Sequence, residues 1–377
     1  MPDNITEALG RLRDRIDEVD RQVVELLEKR LRVVEEVVAL KKAHQLPVYH
    51  PSREEDLISD RRKRAKDRGM DPDFVEEIFR SIMRQSRATQ SDRMTRGGIR
   101  TNATILVVGG RGEMGRYFAE LFEGAGYPVR ILDVGDWDQV VPLAANIDLA
   151  LVSVPIDVTD QVIERLVPHL PEKAILADIT SIKTGPLKTM LSAHKGPVLG
   201  LHPLFGPTTG SLDKQIIIAT PGRDKDRCAW LQEQFSTWGA IVVTAEAEEH
   251  DELMALVQAL RHFATFAFGQ FLRRRKVDLA RTLEFSSPIY RLELGMVGRL
   301  FAQDPGLYSE IIFASPERLE MLKDYIASLS ENAAMLEAGD KEGFMTEFRK
   351  IAQWFGPFGE QAMRESGYLI NRLIERF

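Results

Sequence analysis

Apolar residues recur at alternating three- and four-residue steps through Leu9, Leu12, Ile16, Val19, Val23 and Leu26. The same spacing continues through Arg30, Val33, Val37 and Leu40, and no Gly or Pro interrupts the stretch from Arg11 to Leu46. This is one seam on one long helix. Leu9 to Leu40 is 40 − 9 = 31 steps, or roughly 47 Å at about 1.5 Å each. A globule of a hundred residues is only about 26 Å across. Such a helix cannot bury its seam within its own module, so the spacing predicts pairing with a second chain.

The stretch around this helix is chemically distinct. Residues 1–100 hold 22 Lys+Arg and 20 Asp+Glu, and only three of the 29 aromatics (Tyr49, Phe74 and Phe79). The other 277 residues hold 50 − 22 = 28 and 57 − 20 = 37, so the charged share falls from 42 in 100 to 65 in 277. Two differently built modules are joined, and 377 residues leave room for two or three domains. A net charge of −7 argues against a dedicated nucleic-acid binder. A single cysteine, Cys228, excludes an intrachain disulfide and a Cys-rich zinc site, and no metal is expected. The polar opening residues do not read as a secretory signal, and no apolar run reaches the length of a membrane span. The expectation is a cytoplasmic protein with neither a membrane nor a nucleic-acid partner.

Two shorter helices follow the first. Ser52-Arg53-Glu54-Glu55 fits a capping box, Gly69 ends that helix, and Asp71-Pro72 starts the next. The third helix carries Phe74, Ile78 and Ile82, and its stripe turns polar at Ser86 and Gln90. Arg30 stands at a seam position where an apolar side chain is expected, and an unpaired buried charge is costly. It is either a specificity device or salt-bridge partner, or part of a polyanion pocket with Lys41, Arg53, Ser86 and Gln90. Arg13 lies 17 residues before Arg30, roughly 25 Å along the axis. It can join the same pocket only from an antiparallel partner.

Residues 9–90 resemble the all-helical, AroQ-type chorismate mutase family, on Arg13, Arg30, Lys41, Arg53, Glu54, Ser86 and Gln90 in order and spacing. The resemblance implies an intertwined homodimer that rearranges chorismate to prephenate, with one arginine of each pocket supplied by the partner. The step is pericyclic, so the protein's task is to hold a folded dicarboxylate and stabilise charge on the ether oxygen. By family role Arg13, Arg30 and Arg53 take the carboxylates or the hydroxyl region. Lys41 and Gln90 donate to the ether oxygen, Glu54 accepts from the substrate hydroxyl, and Ser86 lines the pocket. Many members carry Asp where this chain has His50.

Ser91 to Ala103 is polar, contains a Gly-Gly pair, and reads as a linker. The apolar run Thr104–Val108 then leads into Gly110-Arg111-Gly112-Glu113-Met114-Gly115. A glycine pattern of this kind between a strand and a helix lets backbone approach a pyrophosphate at the helix N-terminus. A second strand, Val129–Leu132, ends at Asp133, placed to bind a ribose 2′-hydroxyl. No Arg or Lys stands directly after it, which favours NAD over NADP. The alternative is a strand-end surface charge.

Further strand-like runs at Leu149–Val154, Ala174–Ile179, Val198–Leu201, Ile216–Ala219 and Ile241–Thr244 predict a doubly wound, mostly parallel sheet. Ligands in such sheets collect at the carboxyl ends of strands, where Ser153, Ser181, Lys183 and His202 fall. A neutral His202 can take a proton from an alcohol as hydride leaves, although a lone strand-end His is also a common structural hydrogen-bonder. Lys183 either shapes its loop or is purely structural. The segment Gly200-Leu201-His202-Pro203-Leu204-Phe205-Gly206 resembles that of the arogenate/prephenate dehydrogenases. One module thus resembles a maker of prephenate and the other a consumer of it, as in the fused chorismate mutase/prephenate dehydrogenase family.

After Asp251 the patterns are helical, over 252–272, 288–301, 316–337 and 341–355. Leu253, Leu256, Val257, Leu260, Phe263 and Ala264 form a stripe read as core. The resemblance implies that Arg299 binds a substrate carboxylate and that His262 lies near the pyruvyl side chain. A satisfied interface His and a surface ion pair are the alternatives, and Arg291 is the weaker of the two arginine candidates.

The expected architecture is therefore an all-α mutase module (1–92), a linker (93–103), an α/β Rossmann-type NAD domain (104–247, with Gly110, Gly112, Met114, Gly115, Asp133 and Ser153 as cofactor residues) and an all-α dimerisation domain (248–377). The implied function is the two successive reactions of tyrosine biosynthesis, with His202 as proton acceptor, Ser181 as its orienting neighbour and tyrosine as feedback inhibitor. Two other readings stand beside it. A β-hydroxyacid-type NAD dehydrogenase with a helical arm needs a catalytic Lys, and residues 250–262 contain none. A non-enzymatic NAD-sensing interaction protein would tolerate loss of Arg30 and Lys41.

Overall fold

The computed structural model describes residues 2–43, 51–93, 97–100 and 102–374. The chain forms two compact units, Met1–Val154 with Thr159–Glu246, and Pro155–Val158 with Ala247–Phe377.

The first unit opens with three helices, α1 (Pro2–Ala43), α2 (Pro51–Asp67) and α3 (Pro72–Arg93). Gly69 stops α2 in a left-handed conformation (φ 69°), with the Met70 N–H donating back to the Ala65 carbonyl at 2.9 Å. Pro72 is the first residue of α3, and the Asp73 N–H donates to the Asp71 carboxylate at 2.9 Å. The helices bury Val34, Val38, Ile58, Ala65, Val75 and Met83. The seam of α1 lies open, with Leu26 62 % and Leu40 60 % exposed. Burying one such side chain fully is worth about 1.5–3 kcal/mol, so covering this face is strongly favourable.

A seven-stranded sheet follows, built from β1 (Ile105–Val108), β2 (Val129–Leu132), β3 (Leu149–Val152), β4 (Ile175–Asp178), β5 (Val198–Pro203), β6 (Ile216–Arg223) and β7 (Ile241–Thr244). The order is β2-β1-β3-β4-β5-β6-β7, and every pair is parallel except β5 and β6. The central strands read as unbroken apolar runs because both faces are covered. Phe118, Phe122, Tyr127, Phe235 and Trp238 pack one core, and Leu132, Ile147, Ile163, Leu166 and Met190 belong to the other. Two strands outrun their sequence limits. β5 continues through His202 to Pro203 and β6 to Arg223, because antiparallel pairing (His202 with Ile218, Pro203 with Ile217) carries the ladder on where the apolar pattern stops. Part of the linker docks onto this domain, where the Gly98 N–H donates to Ala125 O (2.7 Å) and the Ile99 N–H to Gln234 Oε1 (2.9 Å).

The second unit is helical. The helix expected over 252–272 is α-helical at Ala247–Met254, a π-helix at Ala255–Leu260, and α-helical again at Arg261–Arg274. This corrects the apolar stripe. Leu253, Leu256 and Val257 are exposed, and the buried side chains are Met254, Ala255, Ala259 and His262. The offset is already present at Leu253, before the π-helix begins, so the buried face is set by the helices at Pro305–Phe313 and Pro316–Glu337 that pack against 255–260, which periodicity alone does not reveal. Helices at Pro288–Phe301, Pro316–Glu337 and Lys341–Phe355 match the expected patterns, and Leu279–Glu284, Pro305–Phe313 and Pro357–Ile374 add to them. Among the described residues, no helix is long and apolar enough to cross a membrane.

Candidate active sites

In the helical module, Arg30 donates to Ser86 Oγ at 2.5 Å, and Ser86 donates to the Ile82 carbonyl at 2.8 Å. Burial, then the neighbouring Arg61 charge, lowers the pKa of Arg30. The sequence placed Arg30 in the open seam, and the structure corrects this. Arg30, Val34 and Val38 share an inner line at four-residue spacing, while Val33, Val37 and Leu40 stay outside. Ser86 is buried and Arg53 and Arg13 are exposed. Glu54 is half-buried and faces the sheet-bearing part of the unit, where Lys214 Nζ lies 3.5 Å from its carboxylate. The structure thus brings Arg30 and Ser86 together and sets Glu54 against a cation that the sequence did not single out. Lys41 and Gln90 lie on α1 and α3, but their side chains, like all of His50, fall outside the described residues.

The glycine loop joins β1 to α4 (Glu113–Gly124). Gly112 is the N-cap of α4 and offers no side-chain hydrogen bond, so the first-turn N–H groups have no side-chain cap. A Cβ on Gly115 would overlap the Gly109 carbonyl, and one on Gly110 would come within 2.9 Å of Ile131 Cγ2. Gly109 is the residue held at positive φ (78°), and a Cβ there would overlap the Ser153 carbonyl. Gly109 stands just before the G-x-G-x-x-G motif, which does not include it, and the Gly-Gly doublet was the available signal. Met114 is half-buried against the core, and the Ser153 N–H donates to the Val108 carbonyl at 2.8 Å. Asp133 caps the turn after β2, accepting from the N–H groups of Arg111 (2.9 Å) and Val134 (2.8 Å). With the Asp136 N–H completing its capping box, the carboxylate still has acceptor capacity for a ribose hydroxyl. An uncapped helix N-terminus, a backbone cradle that any Cβ would fill, and a strand-end carboxylate fit a dinucleotide.

His202 is 2 % exposed near the carboxyl end of β5, and Ser181 is half-buried on the loop after β4. Lys183 is fully buried between these elements. Its Nζ donates to the Asp178 carboxylate, to the Leu201 carbonyl at 2.7 Å and to Thr180 Oγ1 at 3.3 Å. Lys183 therefore ties the Ser181 loop to the residue preceding His202. Asp178 went unnoticed in the sequence, although an acid closing an apolar strand is the signal. Gly200 makes room for this cluster, since a Cβ there would overlap Thr220 Oγ1 and lie 3.1 Å from Lys183 Cδ.

In the second unit, His262 is buried directly after the π-helix, its ring edge-to-face with Tyr308 at 4.7 Å. Burial, then the Arg261 charge, pushes its pKa down to about 4, so it is neutral at pH 7. The unfolded imidazole titrates near pH ~6.5. Between that pH and about 4 the unfolded chain binds more protons, so stability falls as pH drops through this window, by up to about 3 kcal/mol. His262→Asn is expected to remove this share of the slope, read from urea midpoints at pH 7 and pH 4.5. Arg299 is exposed on its helix, whereas Arg291 donates to the Leu283 carbonyl. Arg318, 2 % exposed and bonded to Ile311 O at 2.6 Å, is a buried cation that no sequence signal announced. Among the described residues, no group of three or more His, Cys, Asp or Glu is placed to hold a metal ion.

Three family models match the chain: chorismate mutase type II over residues 12–91, the prephenate dehydrogenase nucleotide-binding domain over 129–244, and the prephenate dehydrogenase dimerization domain over 246–350. The chain is 46 % identical to the T-protein of Enterobacter agglomerans, covering 96 % of this chain and 97 % of that one. The chain belongs to the T-protein family. It is also 43 % identical to the T-protein of Haemophilus influenzae, covering 97 % of each chain. Among solved structures, prephenate dehydrogenase from Aquifex aeolicus, in complex with hydroxyphenyl propionate and NAD+, matches with a TM-score of 0.56 at 19 % identity. That match covers 66 % of this chain and 96 % of the other and speaks to fold alone. T-protein membership joins the two halves in one assignment, a chorismate mutase and an NAD-dependent prephenate dehydrogenase in a single chain. The nucleotide-binding match begins at Val129, so within this domain the glycine loop is defined by its own geometry.

Proposed function

We propose the residue roles through which this bifunctional enzyme of tyrosine biosynthesis works on chorismate and prephenate. Residues 1–92 form the mutase, 104–247 the NAD domain and 248–377 the helical dehydrogenase half, joined by a linker at 93–103. The observation that carries the mutase reading is the Arg30–Ser86 bond at 2.5 Å, a half-buried cation on a polar patch of α3. Arg30 and Arg53 hold the carboxylates of chorismate, Lys41 and Gln90 donate to the ether oxygen, and Glu54 accepts the substrate hydroxyl. Arg13 comes from a second copy of the chain, and the open seam of α1 supports that homodimer.

In the dehydrogenase, Gly110, Gly112, Met114, Gly115, Asp133 and Ser153 bind NAD. Bound NAD supplies the hydride acceptor. His202 accepts the proton of the prephenate ring hydroxyl as hydride leaves and returns it to the ring oxygen as loss of CO2 makes the ring aromatic, giving 4-hydroxyphenylpyruvate, while Ser181 orients His202 or contacts the same hydroxyl. Arg299 takes a carboxylate of prephenate and neutral His262 serves its pyruvyl side chain. Tyrosine inhibits the enzyme by feedback. The setting is the cytoplasm, without a membrane or nucleic-acid partner.

The test separates the two reactions. Purified enzyme given chorismate alone is expected to make prephenate, and chorismate with NAD is expected to make NADH. Val23→Glu, which plants a charge in the seam, is expected to lower the mutase rate at least tenfold, because the pocket loses the partner's Arg13. An unchanged mutase rate together with an intact dimer in sedimentation would remove the seam from the interface.

A further inference from the structure

The cofactor loop contains a cation that the roles above leave unused. Arg111 stands between Gly110 and Gly112, and its backbone N–H donates to Asp133 Oδ2 at 2.9 Å. Its guanidinium is exposed but paired. Nη1 lies 2.7 Å from Asp136 Oδ2 and Nη2 donates to Asp136 Oδ1 at 3.0 Å, a two-pronged pair. Asp136 is anchored in turn, since its Oδ2 accepts the Asp133 N–H at 3.0 Å. Asp133 and Asp136 form a reciprocal capping box around the turn after β2. One carboxylate therefore fastens a guanidinium beside the residue that reads the ribose. The pairing holds the Asp136 carboxyl below the usual carboxylate range, with the Arg111 hydrogen bond as the largest cause.

We propose that Asp136 sets the choice between NAD and NADP by occupying Arg111. The inference rests on the reading of Asp133 as the ribose-binding residue. NADP differs from NAD by a 2′-phosphate, and a planar guanidinium is the side chain best shaped to take a phosphate with two parallel hydrogen bonds. Such a guanidinium is present here, although no cation follows Asp133 in the sequence. It reaches the ribose end of the site from the glycine loop. A 2′-phosphate would have to displace the Asp136 carboxylate from Arg111 and then sit beside two negative charges. A 2′-hydroxyl needs only the acceptor that Asp133 offers. The carboxylate at 136 thus excludes NADP by engaging the Arg111 guanidinium, the group that would otherwise take the 2′-phosphate. Asn at 136 keeps the size and one acceptor oxygen for the Asp133 N–H, and removes only the charge.

The experiment is calorimetric titration of the full-length enzyme with NAD and with NADP, so that binding is read without turnover. The proteins are wild type, Asp136→Asn, Asp136→Ser, Arg111→Ala, the double variant Arg111→Ala/Asp136→Asn, and Asp133→Ala. Asp136→Asn is expected to narrow the ratio of NADP to NAD dissociation constants about tenfold, the scale of one hydrogen bond to a charged group. The gain should fade with added salt. Arg111→Ala should bind NADP no better than wild type, and the double variant should lose the gain. Asp136→Ser should reproduce the gain and covers the case in which the Asn protein does not fold. An unchanged ratio in the folded Asp136 variants, or a gain that survives without Arg111, overturns the proposal. Asp133→Ala reports separately on the underlying reading, since NAD binding that is indifferent to Asp133 would overturn that reading whatever position 136 does.

Discussion

His202→Asn is expected to lower NADH formation from prephenate by about 10²- to 10⁴-fold, the usual worth of a positioned proton acceptor. Prephenate formation from chorismate should stay within about twofold of wild type. Asn keeps a hydrogen-bonding side chain of similar reach but cannot take a proton near neutral pH. The position is buried near the end of a strand pair, His202 opposite Ile218, so the exchange tests chemistry in a hydrogen-bonded setting. The mutase helices lie elsewhere in the chain and should not register it. Both rates measured on one preparation decide the matter. A parallel fall in the two would mean a damaged fold, and an unchanged NADH rate would remove His202 from the reaction.

Lys183→Met is expected to be strongly destabilising. Lys183 and Asp178 have no exposed side-chain surface, and the ammonium also bonds the Leu201 carbonyl. Removing one partner of a buried pair leaves an uncompensated charge and costs about 3–5 kcal/mol. Total stabilities are only about 5–15 kcal/mol. The double variant Asp178→Asn/Lys183→Met removes both charges and should recover most of the loss, because the penalty belongs to the orphaned carboxylate. Urea unfolding of the three proteins gives the comparison. A single variant within about 1 kcal/mol of wild type would mean that Asp178 finds another partner or a proton. NADH formation by the double variant carries a second message. If the fold returns while the rate stays low, the Lys183 bond to Leu201 is what sets the strand carrying His202.

Much of the architecture was legible because it follows local periodicity. The 3/4 seam of α1, Pro72 at the start of α3, the strand–glycine–helix order and Asp133 after β2 are each written in a few neighbouring residues. What escaped depends on partners remote in sequence. β5 reaches Pro203 only because β6 pairs with it. Apolar side chains lie on both faces of 252–264, and which face is buried depends on the helices packed against 255–260, so counting alone chose the wrong one. Arg30 looked like a seam residue because Val33 and Leu26 flank it, yet Val34 and Val38 define the line on which it lies. Lys183 was visible as a candidate, but its counter-ion five residues earlier was not, since burial of both charges is a tertiary fact. The Arg111–Asp136 pair spans 25 residues, so a search for a cation directly after Asp133 could not reveal it.

The reach of α1 has a genetic corollary. The helix is 42 residues long, and Arg13 and Arg30 are too far apart on it to serve one pocket from one chain. If, as proposed, each pocket borrows Arg13 from its neighbour, a chain lacking Arg13 and a chain lacking Arg30 are each inactive alone, the first because it fails its partner's pocket and the second because it fails its own. In a mixed pair, one pocket collects both lesions and the other collects none. Two broken alleles expressed together would then restore mutase activity to about half of the pockets in every mixed dimer, an inheritance pattern that follows from the length of a helix.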